Sequence, residues 1–150
     1  MNRFQIQLGF VLILLGLLTG FGMPVFVSAR LGLAAHTVAI TGGLVLIALG
    51  ALAGSFSLGR RATTTMMWSW AYAAYANWAA CLIAAATGAS RLTPIAGAGT
   101  TGTALAEGVV AFLLESLALA AVAGTILAVW GLRKAAKSVG TTESLRAGLA

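Results

Sequence analysis

Four stretches of this chain hold almost no charge, and each is long enough to cross a bilayer. They run over about Ile6–Ser28, Leu33–Leu58, Thr64–Thr87 and Ala104–Leu132. A helix crossing the hydrocarbon needs roughly 20 mostly apolar residues. Only the last stretch contains acidic groups, Glu107 and Glu115. With 60% of its residues hydrophobic and 8% charged, the chain has too little polar surface to cover a water-facing globule. The expected fold is all-α and integral to a membrane: a four-transmembrane-helix antiparallel bundle within residues 1–133. Residues 134–150 read as a polar tail that frays.

Arg3, the first apolar stretch and "VSA" at 27–29 also fit a signal peptide with its cleavage site. The apolar run is already long before Pro24 interrupts it, so we expect a retained span. Orientation follows from the bias of Lys and Arg. The N-terminus, the second connection and the tail share one side; they hold Arg3, Arg60, Arg61, Arg133, Lys134, Lys137 and Arg146, against Arg30 and Arg91 on the other. Both termini are therefore expected to be cytoplasmic, in the inner (cytoplasmic) membrane. The net charge of +6 does not mark a nucleic-acid binder, because the basic residues sit between apolar runs and form no stripe.

Several chemistries are excluded by what is missing. There is no P-loop, dinucleotide fingerprint, HExxH or GxSxG, and no nicotinamide, flavin or nucleotide cofactor is expected. One cysteine, Cys81, forbids an internal disulfide and reads as a core residue. With one histidine and no aspartate, a Ser-His-Asp triad is impossible.

Polar groups at membrane depth mark function by default, because burying them is costly. His36 can serve as a metal or haem ligand, a general base or a structural donor; neutral imidazole suits iron. One histidine cannot build a conventional zinc site. Asn77 lies deep in the third run, flanked at helical spacing by Trp70, Ala73, Ala74 and Cys81. It reads as an interhelical hydrogen-bonding group or as one aimed at a cofactor or substrate. Tyr75 stands roughly 200° around the helix from it, on a stripe with Trp68 and Tyr72. Glu107, at the start of the fourth run, favours the helix dipole or accepts protons near the membrane surface. Glu115 lies two turns deeper.

The GxxxG pairs Gly16/Gly20 and Gly50/Gly54 fit close helix approach. A thin bundle of four helices encloses little space, so a bulky ligand is expected between protomers.

The segments "LGFVLILLGLLTGF", "RLGLAAHTVAITGGLVLIALGAL", "AYANW", "PIAGAGTTGTALAEG" and "VVAFLLESLALAAVAGTILAVWGL", in that order over residues 6–133, resemble the hydroxylaminobenzene mutase family. The resemblance implies a membrane isomerase that turns an arylhydroxylamine into an aminophenol. A more distant resemblance is to styrene oxide isomerase, a four-span enzyme that rearranges an epoxide to an aldehyde. Its Ala-His pair and "WAN" look like Ala35-His36 and Tyr75-Ala76-Asn77. That resemblance implies a trimer with haem b between protomers, His36 as the axial iron ligand, and Asn77 near the haem or the substrate. Four positions depart from these patterns. Val38 and Gly42 stand where a Glu and an Asn would follow the histidine, and Ala73 and Cys81 replace an Asp and a Tyr around Asn77.

The sequence therefore leads to a membrane-embedded isomerase of a small hydrophobic aromatic substrate. His36 would bind haem b iron as a Lewis acid, with Asn77, Tyr75 and Glu107 as candidate catalytic groups. The alternatives are an epoxide isomerase, a non-catalytic haem- or small-molecule-binding subunit, and a small transporter. Only Glu115 and Pro24 point toward transport.

Overall fold

A computed structural model describes the backbone of residues 1–147 and the side chains of residues 1–133. The polar tail expected beyond residue 133 lies outside the residues whose side chains are described. The described residues are helical and contain no strand. Their helices are α1 (Arg3–Phe21), α2 (Ala29–Ala51), α3 (Arg60–Thr87), a one-turn α4 (Pro94–Gly97) and α5 (Ala104–Ala147).

The helix ends depart from the apolar runs for local reasons. α1 stops at Phe21, short of the expected Ser28, because Gly22 and Pro24 lead into a 3-10 turn over Met23–Val25. α2 begins four residues earlier than expected, since Ser28 caps it: its Oγ accepts the Leu31 N–H. α2 also ends early, at Ala51, and passes into a 3-10 turn over Leu52–Ser55. α3 ends on Gly88, whose φ of 75° suits the left-handed cap that glycine alone adopts freely.

α1, α2 and the Ala104–Arg133 part of α5 are long and apolar enough to cross a membrane. α3, at 28 residues, is long enough but less apolar, because it carries Thr63–Thr65, Ser69, Trp and Tyr side chains and Asn77. The packing explains how this composition is accommodated. α3 has α1 and α2 against it on one side and α5 on the other. It buries Met66, Met67, Ala71, Ala73, Ala74, Ala76, Ala80, Ala84 and Ala85. The outer helices instead expose large apolar side chains, such as Phe10 at 60% and Leu119 at 76%, as a lipid-facing surface would.

Neighbours in sequence run antiparallel. In α1 and α2, a Cβ added to Gly9 would stand 2.6 Å from the Gly43 carbonyl oxygen, and one added to Gly50 2.9 Å from the Asn2 carbonyl oxygen. Gly42 of α2 lies against Ala74 of α3, while the Ser28 N–H donates to the Ala85 carbonyl. Gly124 of α5 lies against Trp70, and Ser116 meets the Tyr72 hydroxyl at 2.6 Å. α5 leans on α3 and shares a core cluster with α2 at one end, where Leu31, Ala84, Ala106 and Val110 pack together. Further along, α2 and α5 separate and leave a groove floored by α3.

Candidate active site

His36 projects from α2 toward α1. Its Nδ1 stands 2.8 Å from the Gly16 carbonyl oxygen. A carbonyl only accepts, so Nδ1 carries the hydrogen, and in the neutral ring Nε2 keeps its lone pair. The ring is half-buried against Gly20, where a Cβ would come within 3.0 Å of Nδ1. Gly16 and Gly20 thus make room for an imidazole as well as for a neighbouring helix. One nitrogen tied to a carbonyl and the other free is the usual arrangement of a metal-ligating histidine. Among the described residues no hydrogen bond reaches Nε2, so the donor chemistry fits an axial haem ligand. No group of three His, Cys, Asp or Glu able to hold a bare metal ion exists among the described residues.

Asn77 lies elsewhere. It lines the groove between α2 and α5, together with Val38, Gly42, Trp70, Ala73 and Leu117, around a cavity of about 210 Å³. Its Oδ1 receives the Cys81 thiol at 3.8 Å; its amide N–H groups have no partner among the described residues. Apolar walls with one free amide suit a small, neutral molecule of low polarity. Val38 and Gly42 also line this groove. His36 is two residues before Val38, roughly 200° around the helix, and so faces the opposite side of α2.

Tyr75 and Glu107 are also expected among the reactive groups. The structure gives their polar atoms to the protein's own backbone. The Tyr75 hydroxyl donates to the Leu8 carbonyl at 2.9 Å and joins α3 to α1. With Leu8, Trp68, Ala71 and Tyr72 it forms a separate apolar hollow of about 300 Å³ on the other face of α3. Glu107 organises the connection between α3 and α5. Its carboxylate accepts the backbone N–H groups of Ser90 and Arg91 at 3.0 Å each and of Gly102 at 3.1 Å. The Ser90 hydroxyl, bonded to the Thr100 carbonyl, closes the same loop. Replacing Glu107 by alanine should free those amides: their hydrogen exchange should quicken while exchange within α2 and α3 is unchanged.

Two features had no usable sequence signal. The Trp70 indole N–H is buried at the α3–α5 contact, beside Gly124, with no partner among the described residues. The Trp78 indole N–H donates to Thr19 Oγ1 at 3.1 Å, which ties α3 to α1 near the Gly20 side of the His36 ring. Both depend on which helices become neighbours.

The molecule is thus a helical membrane protein with an apolar groove between α2 and α5 and a histidine hydrogen-bonded between α2 and α1. A family profile described as styrene oxide isomerase matches residues 1–133, and the chain belongs to that family. Hydroxylaminobenzene mutase HabB of Ectopseudomonas oleovorans is 46% identical over 134 residues, covering 89% of this chain and 82% of the relative. Hydroxylaminobenzene mutase HabA of the same organism is 38% identical over 133 residues, covering 88% and 98%. No solved structure matches the chain. The chain is an isomerase of the mutase type.

Proposed function

We propose that this isomerase converts an arylhydroxylamine into an aminophenol within the membrane. The observation that carries the reading is the 46% identity to a hydroxylaminobenzene mutase across nearly the whole chain. In this reaction the N–O bond breaks, a C–O bond forms at a ring carbon, and the proton leaving that carbon ends on nitrogen. Atoms and electrons balance without a redox partner.

The groove binds the aryl ring between Trp70, Ala73, Leu117 and Val38. The free amide of Asn77 donates to the hydroxyl oxygen and holds it as negative charge develops. The apolar walls keep bulk water from a cationic ring. His36 would hold haem b through Nε2, with Gly16 fixing its tautomer. Bound haem iron supplies Lewis acidity toward the hydroxylamine group. Tyr75 and Glu107 act as positioning residues, one holding α3 to α1 and the other holding the loop that joins α3 to α5.

His36 and Asn77 face opposite sides of α2. A site that uses both therefore takes them from two copies, which favours a homo-oligomer, and by resemblance a trimer. In this reading α3 is a fourth span whose small-residue faces are covered by its neighbours, and both termini are cytoplasmic in the inner membrane. The family profile's description favours one second reading, rearrangement of an aryl epoxide to an aldehyde.

Purified protein supplied with phenylhydroxylamine should yield aminophenol; styrene oxide supplied in parallel tests the second reading. Turnover of neither substrate by haem-loaded protein would overturn both. Asn77→Ala should lower kcat about 10²-fold with a smaller change in KM, as for loss of one oxyanion donor.

A further inference from the structure

Glu115 is the residue that the fold leaves unexplained. It stands near the middle of the Ala104–Arg133 span, where an ionisable side chain is expensive. Its side chain is exposed on a single chain and has no hydrogen bond or ion pair among the described residues. It lies roughly 200° around α5 from Leu117, which faces the groove, so it cannot turn into the groove of its own chain.

Its depth is fixed by contacts on either side. Leu31 of α2 clusters with Val110 of α5, and Val38 shares the groove with Leu117 and Asn77. Glu115 therefore lies in the layer between them, level with His36 and within about one turn of Asn77. In a cyclic assembly within a bilayer the symmetry axis runs along the membrane normal, and rotation about it preserves depth. A residue on the outer side of one copy can then meet only what lies in the same layer of the next. Glu115 and the Asn77 groove satisfy that condition.

The groove also lacks something that the reaction needs. The ring-carbon proton must be carried to nitrogen. The residues lining the groove include no carboxyl, imidazole or phenol. Tyr75 and Glu107 have given their oxygens to backbone partners, and His36 faces the other side of α2.

We propose that Glu115 of one copy completes the groove of a neighbouring copy and serves there as its proton carrier. The carboxylate takes the proton from the ring carbon that has gained oxygen; the C–H electron pair restores the aromatic ring. The same carboxyl then delivers that proton to the nitrogen, and Glu115 returns to its starting state. The proposal rests on the mutase reading for its chemistry, but not for its placement of Glu115 between copies. That placement also accounts for an acidic residue on an outer helix surface, since the neighbour covers it.

Two experiments test it. Glu115→Gln should lower kcat for phenylhydroxylamine about 10²-fold, with KM and the haem spectrum unchanged; wild-type turnover would overturn the proposal. Co-expressing Glu115→Gln chains with Asn77→Ala chains should restore about a quarter of wild-type activity, because some sites then combine an intact Asn77 with a neighbour's intact Glu115. No recovery would overturn it. Independently of activity, differently tagged chains carrying Glu115→Cys or Val38→Cys, both with Cys81→Ala, should form a mixed disulfide-linked dimer in membranes. Its absence would overturn the intersubunit placement. If the unmodified protein turns over no arylhydroxylamine, the mutase reading fails and the cross-link alone decides where Glu115 sits.

Discussion

Replacing His36 by alanine should remove the Soret band of the purified protein and reduce turnover at least about 100-fold, since even the partners of a metal-ligating histidine are worth 10- to 100-fold. One hydrogen bond sets the ring. Gly16 lends its carbonyl to Nδ1, and Gly20 leaves space beside the ring. The imidazole is thereby held in one tautomer, with Nε2 available. Ligation through Nε2 and a purely structural tie between α1 and α2 both fit that hydrogen bond. The visible spectrum of the detergent-solubilised protein, before and after substitution, separates these roles. An unchanged spectrum would rule out ligation by His36. An unchanged rate would remove the residue from catalysis. A modest loss of thermal stability, with spectrum and rate intact, would leave it as a helix–helix tie.

The second large effect concerns stability. Gly43→Val should separate α1 from α2 and destabilise the protein by about 3 kcal/mol or more. A Cβ at Gly43 would stand 2.6 Å from the Gly9 carbonyl oxygen and 2.5 Å from Ile13 Cγ1. Ile13 can rotate, but the carbonyl belongs to the α1 backbone and cannot move without moving the helix. Because α1 carries the Gly16 carbonyl, the substitution should also disturb His36. Gly54→Ala provides the contrast, since nothing lies within 4 Å of a Cβ there. It should leave the melting temperature in detergent within about 1 °C of wild type, because surface substitutions away from such features are nearly neutral. Thermal unfolding of both variants in one detergent checks the pair. Equal stability of the two would mean that α1 and α2 do not approach as closely as described.

The glycine pairs show where sequence reasoning stops. Gly16/Gly20 and Gly50/Gly54 match the same small-residue pattern. In the folded chain Gly16 and Gly20 serve His36, Gly50 lets α2 approach Asn2 and Ile6, and a Cβ at Gly54 would meet nothing within 4 Å. The closest helix approach is instead made by Gly9 and Gly43, which the pattern does not pair. Spacing within one helix reports which residues share a face, but not what that face meets.

The same boundary runs through the candidate site. Helical spacing placed Trp70, Ala73, Ala74 and Asn77 on one face and Trp68, Tyr72 and Tyr75 on another, and the two cavities divide them in that way. It could not show that the Tyr75 hydroxyl would be taken by Leu8, or that Glu107 would gather three backbone amides, because those partners lie outside the helix that carries each residue.

By itself the sequence determined that this is a helical membrane protein, where its apolar runs lie, which side chains share a helix face, and which family it resembles. Those properties depend on hydropathy, on a 3.6-residue period and on motif order, all of them local to the chain. Only the tertiary structure decided that α3 is the central helix and that His36 and Asn77 face opposite sides of α2. It alone showed that Glu115 has no partner among the described residues. Such outcomes depend on which helix surfaces fit closely enough to exclude lipid, and that fit involves pairs of segments far apart in sequence.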